Sequence, residues 1–142
     1  MKSSVRFAVA AVVAAGLAAG CGQATGPSSV AGGYVLHTVN GVPVPLPDLN
    51  GQLGGTILLS ADGRAERRVR YRVDVSGTSQ EAHAIGSYEV QGVTVALALR
   101  EDGSQATTPW QPAATLQGGV LTLRYPSPVD GPDIVEAYIL AW

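Results

Sequence analysis

Residues that carry chemistry are scarce in this chain. Cysteine occurs once, at Cys21, so no disulfide can staple the fold and packing alone must hold it. Histidine occurs twice. His37 and His83 stand far apart, without the His-x-His or His-x3-His spacing of a metal pair, and read as surface or rim residues. No Gly-x-Ser-x-Gly elbow frames a nucleophile. Glu101-Asp102 and Asp130-x-x-Asp133 lack the dense oxygen-ligand spacing of a calcium loop and read as turn formers. These gaps leave catalysis, metals and cofactors without support, and the expectation is a non-enzymatic protein with none of them. Lysine is absent after Lys2, and beyond Cys21 seven arginines face eleven carboxylates, a balance of −4 that disfavours nucleic acid as a partner. Helical periodicity is missing as well.

What is present begins at the amino end. Lys2 and Arg6 lead into Phe7 to Gly20, a run containing only Phe, Ala, Val, Leu and Gly. It is too short to span a hydrocarbon core of about 30 Å but has signal-peptide length, and the charge ahead of it holds the amino end in the cytoplasm. Leu17-Ala18-Ala19-Gly20-Cys21 resembles the lipobox of bacterial lipoproteins. The resemblance implies cleavage before Cys21 and a diacylglyceryl group on its thiol, and with about 0.8 kcal/mol per buried methylene two or three acyl chains make attachment effectively permanent. Gly22 occupies the place where, by resemblance to Gram-negative sorting signals, an Asp would retain the protein at the inner membrane. The expected location is therefore the cell envelope, lipid-anchored, on the periplasmic side of the outer membrane where the source has one. Residues 22–33, GQATGPSSVAGG, are too poor in apolar surface to fold and read as a flexible leash reaching about 20 Å. The organisation expected is a signal peptide with lipobox over 1–20, the lipidated cysteine and linker over 21–33, and one domain over 34–142.

Within that domain, turn signals recur: Asp62-Gly63, Ser76-Gly77, Gln91-Gly92, Asp102-Gly103, Gly118-Gly119 and Asp130-Gly131-Pro132. The segments between them alternate with the period of two that marks strands. Val69, Tyr71, Val73 and Val75 share one face against Arg70, Arg72 and Asp74; Val93, Val95, Leu97 and Leu99 share another; Leu121, Leu123 and Tyr125 alternate with Thr122 and Arg124. Ile134 to Trp142 is apolar on both faces apart from Glu136. Eight strands are expected, near 33–39, 55–61, 67–76, 81–90, 93–100, 113–117, 119–125 and 133–141. Hairpin-length connections make them an all-β antiparallel meander that closes into a small up-and-down barrel, with a two-sheet sandwich as the alternative.

The stretch Gly33-Tyr34-Val35-Leu36-His37-Thr38-Val39-Asn40-Gly41-Val42-Pro43-Val44-Pro45, together with Thr56-Ile57-Leu58-Leu59-Ser60-Ala61-Asp62-Gly63 and Gly86-Ser87-Tyr88-Glu89-Val90, resembles bacterial lipocalin-like lipoproteins. In that group a first strand ends at an Asn-Gly-x-Pro turn, a second at an Asp-Gly turn, and a later one begins Gly-x-Tyr. The resemblance implies a calycin-type β-barrel and no particular activity.

Three features are candidates for function. Tyr34, Tyr71, Tyr88, Tyr125 and Tyr138 fall on five different expected strands, either lining a cavity with phenols for a small ligand or filling the core. Arg64, Arg67, Arg68, Arg70 and Arg72 crowd one hairpin, either gripping an anionic partner or forming a solvated strand face paired with Asp74, Glu81 and Glu89. Trp110, between Pro109 and Pro112, and the stiff run Pro43 to Pro47 are either contacts for a partner or a cover for the barrel mouth. Two functions follow: binding of a small apolar or amphipathic molecule inside the barrel, or a filled-core barrel that contacts an envelope protein. Membrane lipid, through acylated Cys21, is a partner in both.

Overall fold

Alternation of large apolar with polar residues decides which side chains face inward along most of this chain. The protein, seen in a computed structural model that describes residues 26–142, is built of nine strands: β1 (Gly32–Val39), β2 (Val42–Pro43), β3 (Gln52–Leu59), β4 (Arg64–Arg72), β5 (Ser79–Gln91), β6 (Thr94–Glu101), β7 (Ala113–Gln117), β8 (Val120–Tyr125) and β9 (Ile134–Leu140). From β3 onward each strand pairs with the next, and β1 pairs antiparallel with both β3 and β9. Eight strands therefore close into an up-and-down barrel without a free edge, as expected, and the sandwich alternative is not formed. β2 is an extra strand folded back on β1. The expected signal segment, Cys21 and residues 22–25 lie outside the described residues. Among the described residues no helix is long and apolar enough to cross a membrane.

The first residues described differ from a leash. Pro27–Ser29 forms a 3-10 turn, Val30 packs against the core and β1 begins at Gly32. Tyr34 Oη donates to the Val30 carbonyl at 2.7 Å, and Tyr88 Oη is shared between the carbonyls of Pro27 and Ser60, each at 2.8 Å. Two buried phenols thus find their acceptors in the backbone of a segment that has few apolar side chains of its own, and residues 26–33 belong to the barrel. They close one end of it. The turns at 60–63, 91–93 and 118–119 lie at this closed end, while the loops over 40–51, 73–78, 102–112 and 126–133 surround the open end.

The closed half is packed solid. Ile57, Leu59, Val95, Leu97 and Leu121 are essentially inaccessible, and each contributes about 1.5–3 kcal/mol by leaving water. Strand ends differ from the sequence reading where a polar side chain intervenes. Val73 and Val75, expected inside, are exposed, because Asp74 Oδ1 accepts hydrogen bonds from the Thr78 amide at 3.0 Å and Ser76 Oγ at 2.6 Å and bends the chain out of β4. Val93, also expected inside, is exposed in the β5–β6 turn beside Gly92. Two β-bulges reset the alternation near the open end. One at His37 lets both Leu36 and Val39 face inward; one at Leu53 turns Gln52 into the barrel, opposite Tyr71.

Candidate functional site

Two charged side chains break the apolar lining. Arg67 has the parity of Val69 and Tyr71, so β4 sends it inward, and it is only 7% exposed. Glu136 has the parity of Tyr138 on β9 and is wholly buried. Arg67 Nη2 donates to both Glu136 oxygens, at 2.8 and 3.0 Å. Tyr125 Oη donates to Oε1 at 2.7 Å, Tyr138 Oη donates to Oε2 at 2.8 Å, and Gln52 Nε2 donates to Oε1. Arg67 Nε donates to Tyr138 Oη at 3.2 Å. Apart from that last bond, every hydrogen bond of the network ends on the Glu136 carboxylate, which is what a buried anion requires.

Trp110 covers the network from the open end. Its ring centroid is 5.1 Å from the Arg67 guanidinium carbon, and it meets Tyr125 edge to face at 5.1 Å and 80°. Its backbone exchanges hydrogen bonds with Leu99 at 2.7 and 2.9 Å, an isolated bridge that fixes the proline-braced loop against β6. Beside Trp110 lies a cleft of about 340 Å³. Ala82 and Ala84 on β5 leave the room for it; Tyr71, Leu99 and Tyr125 form walls, Arg67 the floor and Glu101 the rim. Among the described residues Arg67 Nη1 has no acceptor, so its two N–H groups are available to an occupant of the cleft.

Electrostatics hold Arg67, Tyr125 and Tyr138 each in one protonation state. Burial works against the Arg67 charge, but the oxygens of Tyr138 and Glu136 outweigh it and raise the guanidinium above its ordinary value. Burial first, and the Glu136 carboxylate second, push the Tyr125 phenol far up. Burial likewise raises Tyr138 well above the ordinary range. The floor is a cation whose charge is matched by Glu136, flanked by neutral phenols.

The five tyrosines divide. Tyr71, Tyr125 and Tyr138 gather around this floor, whereas Tyr34 and Tyr88 sit at the closed end and take no part. Trp110 lies in the barrel mouth with the site. Val44 and Leu46, within the proline run, pack on the core and cover part of the open end. Arg67, read with the outer arginines, is instead inside. Arg68 lies on the outer face, paired with Glu66 at 2.7 Å and Glu81 at 3.6 Å, and Arg70 is exposed beside it. Arg72 is half-buried, its Nε without a partner among the described residues. Arg64 pairs with Asp62 at 2.8 Å. His37 is exposed, and His83 lies on the outer face between Asp102 and Glu66. Gln52 and Glu136 escaped sequence reasoning as site residues; the signal for Glu136 was a lone acid inside an apolar strand.

No family model, curated protein or solved structure matches the chain.

Proposed function

We propose that this chain is a lipid-anchored binding barrel of the cell envelope, non-enzymatic, which takes a small amphipathic molecule into the open-end cleft. The occupant places a carbonyl or carboxylate oxygen on Arg67 Nη1 and lays its apolar body over Ala82, Ala84 and Leu99 against Trp110. The observation that carries this reading is the floor: a buried guanidinium with its other donors consumed and one nitrogen left facing a walled space. The lipid anchor rests on the lipobox ending at Cys21. A second reading, a filled barrel serving as an interaction module through Arg68, Arg70 and Arg72, is favoured by the solid packing of the closed half.

Native mass spectrometry of the full chain, released from detergent, separates the two. A reproducible small added mass that disappears in Ala84→Trp, with the barrel intact by circular dichroism, supports the cleft. A ligand-free protein in both forms favours the filled barrel. For the anchor, Cys21→Ala is expected to leave an unlipidated, uncleaved precursor, and normal maturation of that variant contradicts the assignment.

A further inference from the structure

We propose that the closed end of the barrel rests on the surface of a phospholipid bilayer, with Trp142 at headgroup depth and the cleft opening away from the membrane. The tether in this proposal rests on the lipid-anchor reading of Cys21; the orientation rests on the barrel itself.

The first observation is where the chain enters. Pro27 and Val30 are bound to Tyr88 and Tyr34 at the closed end, so only residues 22–26 separate Cys21 from a fixed point there. Fully extended, that link spans about 21 Å. An eight-residue strand such as β1 is about 27 Å long. A lipid on Cys21 therefore brings the closed end against the headgroups and leaves the opposite end too far away to touch them.

The second observation is charge. At the closed end the charged side chains are Asp62, held by Arg64 at 2.8 Å, and Glu89. The open end gathers Asp48, Asp74, Glu81, Glu101, Asp102, Asp130 and Asp133 against Arg70, Arg72, Arg100 and Arg124, the last 4.0 Å from Asp133, and so keeps a larger excess of carboxylates. A bilayer containing anionic lipid repels the acidic end and tolerates the nearly neutral one.

The third observation is apolar exposure. Trp142 is 68% exposed, its ring lying on Gly33 where any Cβ would collide with it. Leu140 is exposed next to it, and Val120, Ile139 and Val35 form an exposed ladder across β8, β9 and β1. Tryptophan bordered by aliphatic side chains suits the membrane interface, where an apolar ring and its polar N–H are both satisfied. The open end also exposes Val42, Leu49, Val73, Val75 and Val129, but all of these except Val42 adjoin an aspartate.

The chain has two tryptophans, one at each end of the barrel, which makes the test direct. The full chain, purified from a bacterium that processes lipoproteins, is reconstituted into phosphatidylcholine–phosphatidylglycerol vesicles carrying bromine high on the acyl chains. Trp110→Phe leaves Trp142 as the reporter; Trp142→Phe leaves Trp110. Trp142 is expected to shift to shorter wavelength and lose most of its emission to the bromines, and Trp110 to keep its own. Hydrogen exchange on the unsubstituted protein, expected to slow at 117–120 and 139–142 on vesicles, gives the same answer if either variant misfolds. An acylated chain with Trp142 unquenched, or with Trp110 quenched equally, overturns the docking while the anchor stands. A chain whose amino-terminal peptide carries no acyl mass removes the anchor, and Trp142 quenching then decides the docking alone.

Discussion

Arg67 and Glu136 lie 69 residues apart and meet through a two-pronged ion pair inside the barrel. They belong to β4 and β9, which are not neighbours in the sheet, so the pair joins separated walls. Taking both charges out of water costs several kcal/mol each, about what a good geometry with additional hydrogen bonds recovers. Its larger effect is on register. A one-residue slip of either strand would turn its charged member outward and leave the other unpaired inside, so the native alignment is strongly favoured over its neighbours.

Removing one partner is therefore expected to cost more than removing both. Glu136→Leu strands the Arg67 cation and should lower unfolding free energy by about 3–5 kcal/mol, read from urea denaturation. Arg67→Met combined with Glu136→Leu should recover most of that loss. A single variant no less stable than the double one would show that the charge is relieved by water from the cleft.

How much of this was legible in the sequence depends on whether a side chain's meaning is local. Val95, Leu97 and Leu99, or Leu121 and Leu123, announce an inward face by alternation alone, and all five are buried. Arg67 obeyed the same alternation but was overshadowed by the arginines on either side. Glu136 could not be matched to a partner, because the match depends on barrel closure rather than on neighbours in the chain. The bulges at His37 and Leu53 leave no pattern that a period of two can reveal, so Gln52 fell outside the expected strand. Residues 26–30 resembled a linker because their contribution is carbonyl oxygens, which composition does not register.

The closure at Pro27 gives a second expectation. Tyr88→Phe keeps the ring and deletes the hydroxyl that links Ser60 to Pro27. Because Pro27 O still accepts the Val30 amide and Ser60 O the Gly63 amide, the loss should cost about 0.5–1.5 kcal/mol globally. It should also speed proteolysis within 26–31 more than elsewhere. Equal protease resistance in both forms would mean that Val30 packing suffices to hold the plug.

Gly86 explains the Gly-x-Tyr pattern of β5. A Cβ there would meet the Ala98 carbonyl of β6 well inside contact distance, so the two strands approach only because the side chain is absent. Gly86→Ala should lower stability by about 1–3 kcal/mol through overpacking, visible as a reduced melting temperature. Gly41→Ala, whose added methyl meets nothing, is a poor control because of its φ of +79°; Gly54→Ala, in open space with ordinary φ, is the proper one.

Alkaline pH tests the buried phenols as a group. Tyr34, Tyr88, Tyr125 and Tyr138 all have their ionisation raised above the ordinary 10.0, with burial the largest cause in each. The folded chain therefore holds protons that the unfolded chain releases near pH 10. By linkage the stability due to these groups is complete below pH 10 and is lost as pH rises toward their folded values. Tyrosinate absorbance from the four is expected to grow together with loss of the far-ultraviolet sheet signal, as one cooperative step. In Glu136→Leu the carboxylate contribution to Tyr125 and Tyr138 vanishes while burial remains, so their ionisation should still follow unfolding. Reversible ionisation of Tyr138 near pH 10 in an intact barrel would mean that water reaches the floor of the cleft, and the ligand site would have to be redrawn as a solvated channel.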